Sequence, residues 1–127
     1  MVSVKNHSIV VSQLTKDHKP DMVHERKRIE AKGGVVAKQK DKFGREHGPY
    51  RLWDITKRAP GLSISRALGD IYAHTLGLSH EPDVQKSLIE PQDKIIVLGS
   101  DGIFEFLSNE DVAHLVYPFY DKYLKRL

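Results

Sequence analysis

The residues best able to do chemistry lie in KIIVLGSDGIFEFLSNEDV, residues 94–112, where Asp101 follows an apolar run and precedes Gly102. Residues 95–98 are all apolar, which predicts a strand buried on both faces that leaves its sheet at Ser100-Asp101-Gly102. A carboxylate at such an end can face a cation or a substrate. Gly102 there lets the backbone turn with positive φ or approach a bound group closely. The same residues also describe an ordinary strand-to-helix turn carrying a solvated acid. Little else competes. The seven histidines include no pair at the i, i+4 spacing of a helical metal site. The absence of cysteine excludes disulfides, zinc-thiolate sites and thiol nucleophiles. Neither a Gly-x-Ser-x-Gly elbow nor a Walker loop occurs.

Several elements must position this acid. Residues 2–11 alternate as a hairpin around Lys5-Asn6-His7-Ser8. Residues 17–34 predict a helix that holds Pro20 in its first turn, stops at Gly33-Gly34 and buries Met22, Ile29 and Val23. Its Arg26, Lys27 and Arg28 are interrupted by Glu25 and Glu30, so this face reads as solvated rather than as a phosphate or nucleic-acid site. Residues 38–49 are polar, with Gly44 and Gly48, and read as an exposed connection without a regular element. The following YRLWDITKRAPG carries the only tryptophan, Trp53, and fits a packed surface loop and a binding loop equally.

In GLSISRALGD, Arg66 needs a carboxylate if buried, and Asp70 is the nearest along the chain. Residues 84–89 read as an edge-type strand, turned at Pro91-Gln92-Asp93 into the apolar run. Ser108 and Asp111 form a capping box, and Val112, Leu115, Val116, Phe119 and Tyr123 line one helical face that Pro118 should kink or interrupt.

At 127 residues the chain is one domain or part of one, with 39% hydrophobic and 29% charged residues. A formal charge of +3, scattered among acids, is weak support for nucleic-acid binding, and no nucleic-acid partner is expected. No membrane-spanning run, secretory leader or lipidation motif is evident, so an intracellular location, cytoplasmic or nuclear, and no membrane partner are expected. Strand pattern starts at once and the last helix face is unfinished at Leu127. The expectation is a piece of a larger domain that, taken alone, oligomerises through open strand edges and apolar faces.

QLTKDHKPDMVHERKRIEAKGGVV, APGLSISRALGD, EPDV and KIIVLGSDGIFEFLSNEDVAHLV, in this order, resemble the second half of the metal-dependent type 2C protein serine/threonine phosphatases. The resemblance implies an α+β fold: part of an α-β-β-α sandwich, two antiparallel sheets flanked by helices, incomplete at both ends. It makes residues 1–127 a partial catalytic domain, with hairpin and helix in 1–34, a flap-like loop in 38–61, and core strands and C-terminal helix in 62–127. It implies that Asp101 is a ligand of a dinuclear Mg²⁺ or Mn²⁺ centre, and of a third metal where a member binds one, with Ser100 and Gly102 supporting the metal loop. Arg66 and Asp70 take structural roles near the cleft, and Trp53 lies on a flap that touches substrate or regulator. Substrates would be phosphoserine and phosphothreonine proteins, attacked by a metal-activated water. The Asp-Gly-His-Gly, Gly-Asp-Ser-Arg and late Asp-Asn segments of the family, and its upstream Arg and Glu-Asp pair, do not occur here. The chain alone is therefore expected to be inactive. A non-catalytic pseudophosphatase or interaction module is the alternative.

Overall fold

The computed structural model describes residues 1–124. They form two compact units: 1–16 with 85–124, and 17–84.

In the first unit, β1 (Val2–Lys5) and β2 (Ser8–Val11) make the expected hairpin, pairing Val2 with Val11 and Val4 with Ile9. Asn6 and His7 both have positive φ, 49° and 66°, the geometry of a turn whose twist matches that of the strands. β6 (Asp93–Ile95) adds antiparallel to the other side of β1, giving the order β2-β1-β6. Ser3 Oγ donates to Asp93 Oδ1 at 2.7 Å across this pair. Two short helices follow, α3 (Asp101–Phe104) and α4 (Asn109–Phe119), the latter packed against β2. The capping box is present: Asp111 N–H donates to Ser108 Oγ at 3.1 Å, and Ser108 N–H donates to Asp111 Oδ2 at 3.0 Å.

Three expectations change in this unit. The strand predicted over 95–98 ends at Ile95, and Ile96 and Leu98 are 52% and 90% exposed. β6 has only β1 beside it, so the apolar run meets no second neighbour to bury it. Residues 84–89 form no strand, and Val84, Leu88 and Ile89 are exposed. α4 buries Val112 and Ala113 but leaves Leu115 and Phe119 exposed, as is Tyr123 beyond it. Pro118 is accommodated inside α4; α-helical geometry stops at the next residue and a wider π-helical turn, Tyr120–Leu124, follows.

The second unit packs α1 (Val23–Ala31) on a second antiparallel sheet: β3 (Val35–Lys40), β4 (Glu46–Trp53) and β5 (Pro60–Leu62), in the order β3-β4-β5. Ile29, Val36, Leu52, Ala73 and Leu78 form its core, with α2 (Ile71–Thr75) contributing Ala73. α1 is shorter than predicted: Pro20 is buried ahead of it, and Val23 faces solvent. Its stop is as read. Gly33 takes φ 82°, and the N–H groups of Gly33 and Gly34 reach Glu30 O and Ile29 O, which ends the helix in a Schellman motif. A Cβ at Gly34 would lie 2.4 Å from Leu76 O, so only glycine admits that approach.

The stretch read as an irregular connection, 38–49, is instead most of the β3–β4 hairpin. Asp41 organises its tip, its carboxylate accepting from the backbone N–H groups of Phe43 and Arg45 and from Arg45 Nε. These bonds, the Arg45 N–H first, hold the Asp41 carboxyl below its usual range. The sequence conceals this hairpin because its outer half is charged, and the pairing registers across a bulge at Lys38/Gln39 rather than as plain alternation.

Candidate active site

Asp101 opens α3. Ser100 precedes it in extended geometry, and its carbonyl accepts from the N–H groups of Ile103 and Phe104. The Asp101 side chain is exposed, and its carboxylate has no hydrogen-bond or ion-pair partner among the described residues. Gly102 lies within the helix without positive φ, and a Cβ there would meet only Ser100 Oγ at 3.4 Å, so it does not serve the turn. The glycine that close approach requires is Gly99, where a Cβ would lie 3.0 Å from both Ile103 and Phe104. Carboxylate oxygen is the donor type that hard divalent cations take, but the number is short. Among the described residues no group of three or more His, Cys, Asp or Glu side chains could hold an ion. The described residues alone are therefore not a coordination set.

Arg66 does not pair with Asp70. Its Nε and Nη2 donate to Glu25 Oε1 at 2.9 and 2.6 Å, and its Nη1 donates to Glu81 O at 2.9 Å and Asp83 Oδ1 at 2.7 Å. Glu25 is fully buried and also accepts from Arg28 Nη2, while Arg28 reaches Ser65 O and Gly77 O. Burial alone would raise the Glu25 carboxyl, yet the Arg66 and Arg28 hydrogen bonds win and lower it from 4.5 to about 2. The partner of Arg66 lies 41 residues away rather than four. One signal was available: Glu25 shares the helix face of Met22 and Ile29, so an acid there is carried into the core. His18 extends the network, with Nε2 3.0 Å from Asp83 Oδ2.

Asp70 stands just before α2 in the left-handed region, φ 55°, and accepts from Ala73 N–H at 3.2 Å. Its side chain is otherwise exposed. A non-glycine residue held there is strained, and such strain tends to mark function. Trp53 ends β4 half-buried; its indole Nε1 donates to Ala37 O at 2.9 Å, and its ring covers Gly61, where a Cβ would come within 2.8 Å. After it, Asp54 ties residues 54–59 together, accepting from Thr56 Oγ1 at 2.6 Å, Arg58 N–H at 3.3 Å and Tyr72 OH at 3.0 Å. The Thr56 bond first, then Tyr72, lowers the Asp54 carboxyl, and the hydrogen bond to Asp54 raises the Tyr72 phenol.

An α+β chain with two three-stranded antiparallel sheets and an exposed acid at the foot of a short helix defines a class of fold; comparison with known proteins defines the family. Residues 1–125 match the family described as "Protein phosphatase 2C". The rice "Probable protein phosphatase 2C 12" is 38% identical over 104 residues, which is 82% of this chain and 26% of that protein. The rice "Probable protein phosphatase 2C 48" is 37% identical over 117 residues, 91% of this chain and 32% of that one. The crystal structure of serine-threonine phosphatase 2C from Toxoplasma gondii superposes with a TM-score of 0.80 at 26% identity, over 93% of this chain and 39% of that chain. The chain belongs to the protein phosphatase 2C family and spans about a quarter to a third of the length of these curated relatives. Among the described residues no helix is long and apolar enough to cross a membrane.

Proposed function

We propose that this chain is part of the catalytic domain of a Mg²⁺- or Mn²⁺-dependent protein serine/threonine phosphatase, acting on phosphoserine and phosphothreonine proteins inside the cell. The observation that carries the reading is Asp101: an exposed acid with no internal partner, in a chain that matches the family almost end to end. In the complete domain Asp101 would contribute one of the carboxylates that hold a metal pair, which when bound would supply an activated water. Asp70, in the 17–84 unit, caps α2 by accepting from Ala73 N–H and keeps the structural part that the resemblance gives it. Arg66 positions rather than reacts, because every guanidinium nitrogen already has a partner. Trp53 braces the flap-like loop from below.

The test is Asp101→Asn in the full-length protein, assayed on a phosphothreonine peptide across a Mn²⁺ titration. Turnover should collapse and the metal requirement should rise. Near-normal turnover at ordinary metal would reduce Asp101 to a turn residue. A wild-type protein without turnover at any metal concentration would favour the non-catalytic alternative, for which the short donor set is the supporting observation.

A further inference from the structure

We propose that His74 and His80 form a two-imidazole site for a borderline transition-metal ion of the Zn²⁺ or Cu²⁺ class. The two residues are six apart in the chain, a spacing that no helix brings to one face. The turn after α2 brings them together instead, with ring centroids 5.7 Å apart and ring planes tilted by 52°. Among the described residues these are the only two histidine rings in contact, and neither has a hydrogen-bond or ion-pair partner. Metal–nitrogen bonds are about 2.0–2.1 Å, so two imidazoles that share an ion at a near-tetrahedral angle have centroids roughly 5–6 Å apart. The observed separation fits that value. Neutral imidazole suits Zn²⁺ and Cu²⁺, whereas Mg²⁺ and Mn²⁺ take oxygen donors, so this ion differs in class from the one proposed for Asp101.

The backbone that carries the pair is fixed on both sides. His74 lies in α2 next to Ala73, and Leu78 N–H closes the turn on Ala73 O at 3.0 Å; Ala73 and Leu78 both belong to the core. Gly77 turns the chain at φ 100°, where a Cβ would lie 2.7 Å from Ile29 Cα. Ahead of His80, Ser79 N–H donates to Ser65 O at 3.2 Å and Ser79 O accepts from Ala67 N–H at 2.9 Å. After it, Glu81 O accepts from Arg66 Nη1 at 2.9 Å. An ion arriving here has only side-chain torsions to order, which keeps the entropic cost of binding small. Two donors are an incomplete set, and no third His, Cys, Asp or Glu completes it among the described residues. The remaining positions are open to water, which makes the ion exchangeable rather than structural.

Calorimetric titration of Zn²⁺ into the full-length protein, held in saturating Mg²⁺, tests this without reference to turnover. The protein carrying both His74→Gln and His80→Gln should lose one Zn²⁺ site. Each single variant should weaken that site by at least about the tenfold that even an outer partner of a metal ligand is worth. With Cu²⁺ as the probe, pulsed electron paramagnetic resonance should show two imidazole nitrogens on the ion in the wild type and one in either single variant. Asp101→Asn should leave the histidine-dependent site in place, so failure at Asp101 and failure here are read separately. Unfolding without added metal should be unchanged in the variants, because neither ring bonds anything. His80 is exposed, so its variant carries the test even if His74→Gln is destabilised. Equal Zn²⁺ binding by the wild type and the double variant, or a Cu²⁺ spectrum with a single imidazole in the wild type, would overturn the proposal.

Discussion

Glu25 and Asp101 are the same chemistry in opposite settings. Glu25 is sealed in the 17–84 unit with both oxygens engaged by guanidinium groups, while Asp101 stands at the start of α3 with both oxygens free. Desolvation of Glu25 is offset by two cations, so its charge holds three segments together: α1 through Arg28, the turn at Ser65-Arg66, and the stretch ending at Asp83. Nothing in the described residues offsets or uses the charge of Asp101. A carboxylate with every lone pair occupied maintains a fold, and one with none occupied is available to a ligand. The difference separates architecture from chemistry more cleanly than sequence position does, since both acids lie in the first turn of a helix.

The sharpest way to break this contrast is to remove each charge in turn. Asp101→Asn in the full-length protein should lower turnover at least ~100-fold, the upper end of what losing even an outer partner of a metal ligand costs. It should shift stability by no more than about 0.5 kcal/mol, because the side chain is exposed and unpartnered. Asp70→Asn should instead leave turnover and stability near those of the wild type, since asparagine tolerates the left-handed backbone and caps nearly as well as aspartate. A collapse of turnover in Asp70→Asn would show that its charge does more than cap α2.

Glu25→Ala should do the reverse, costing about 3–5 kcal/mol by leaving Arg28 and Arg66 facing a void. Its effect has a pH signature. The carboxyl lies near 4.5 when unfolded and at about 2 when folded. A lowered folded value means the stabilisation is complete above about pH 4.5 and disappears as pH falls through about 2; its size is on the order of 3 kcal/mol. Urea midpoints from pH 7 to pH 2 should fall more steeply for the wild type than for Glu25→Gln. Parallel curves would show that the Arg66 cluster does not stabilise the fold.

What the sequence made legible follows the range of the forces involved. The β1–β2 hairpin, the α1 stop at Gly33-Gly34 and the Ser108–Asp111 box are set by residues within a few positions of one another, and each is where the pattern puts it. Asp101 was legible as a candidate because an acid after an apolar run is a local anomaly. Arg66–Glu25 and Asp83–His18 were not, because their partners are 41 and 65 residues apart and only the fold brings them together. The errors at 84–89 and 95–98 share one cause. The 84–89 run suggests an edge strand and the 95–98 run a buried one, yet a strand needs neighbours: residues 84–89 form no strand, and β6 has β1 alone beside it. At 38–49 the mistake was opposite: a charged hairpin held by Asp41 and a bulge carries too little apolar alternation to show itself.

The smallest effect comes from comparing leucines across the two units. Leu52 is 0% exposed in the core of the 17–84 unit, and Leu98 is 90% exposed in the other. Leu52→Ala should cost about 2–5 kcal/mol through lost burial and the cavity left among Ile29, Val36 and Leu78. Leu98→Ser should leave unfolding within about 0.5 kcal/mol of the wild type, since almost none of its surface is withdrawn from water. It should instead act on association. Ile96, Leu98, Phe106, Leu115 and Phe119 are all exposed in the same unit, and open apolar surface of this kind is most readily covered by another copy when the 127-residue chain is studied alone. Static light scattering over a tenfold concentration range should show the wild-type chain above monomer mass and Leu98→Ser shifted toward it. A wild-type chain that stays monomeric throughout would mean that exposed leucines here are tolerated singly, and the contrast between the two units would then rest on Glu25 and Asp101 alone.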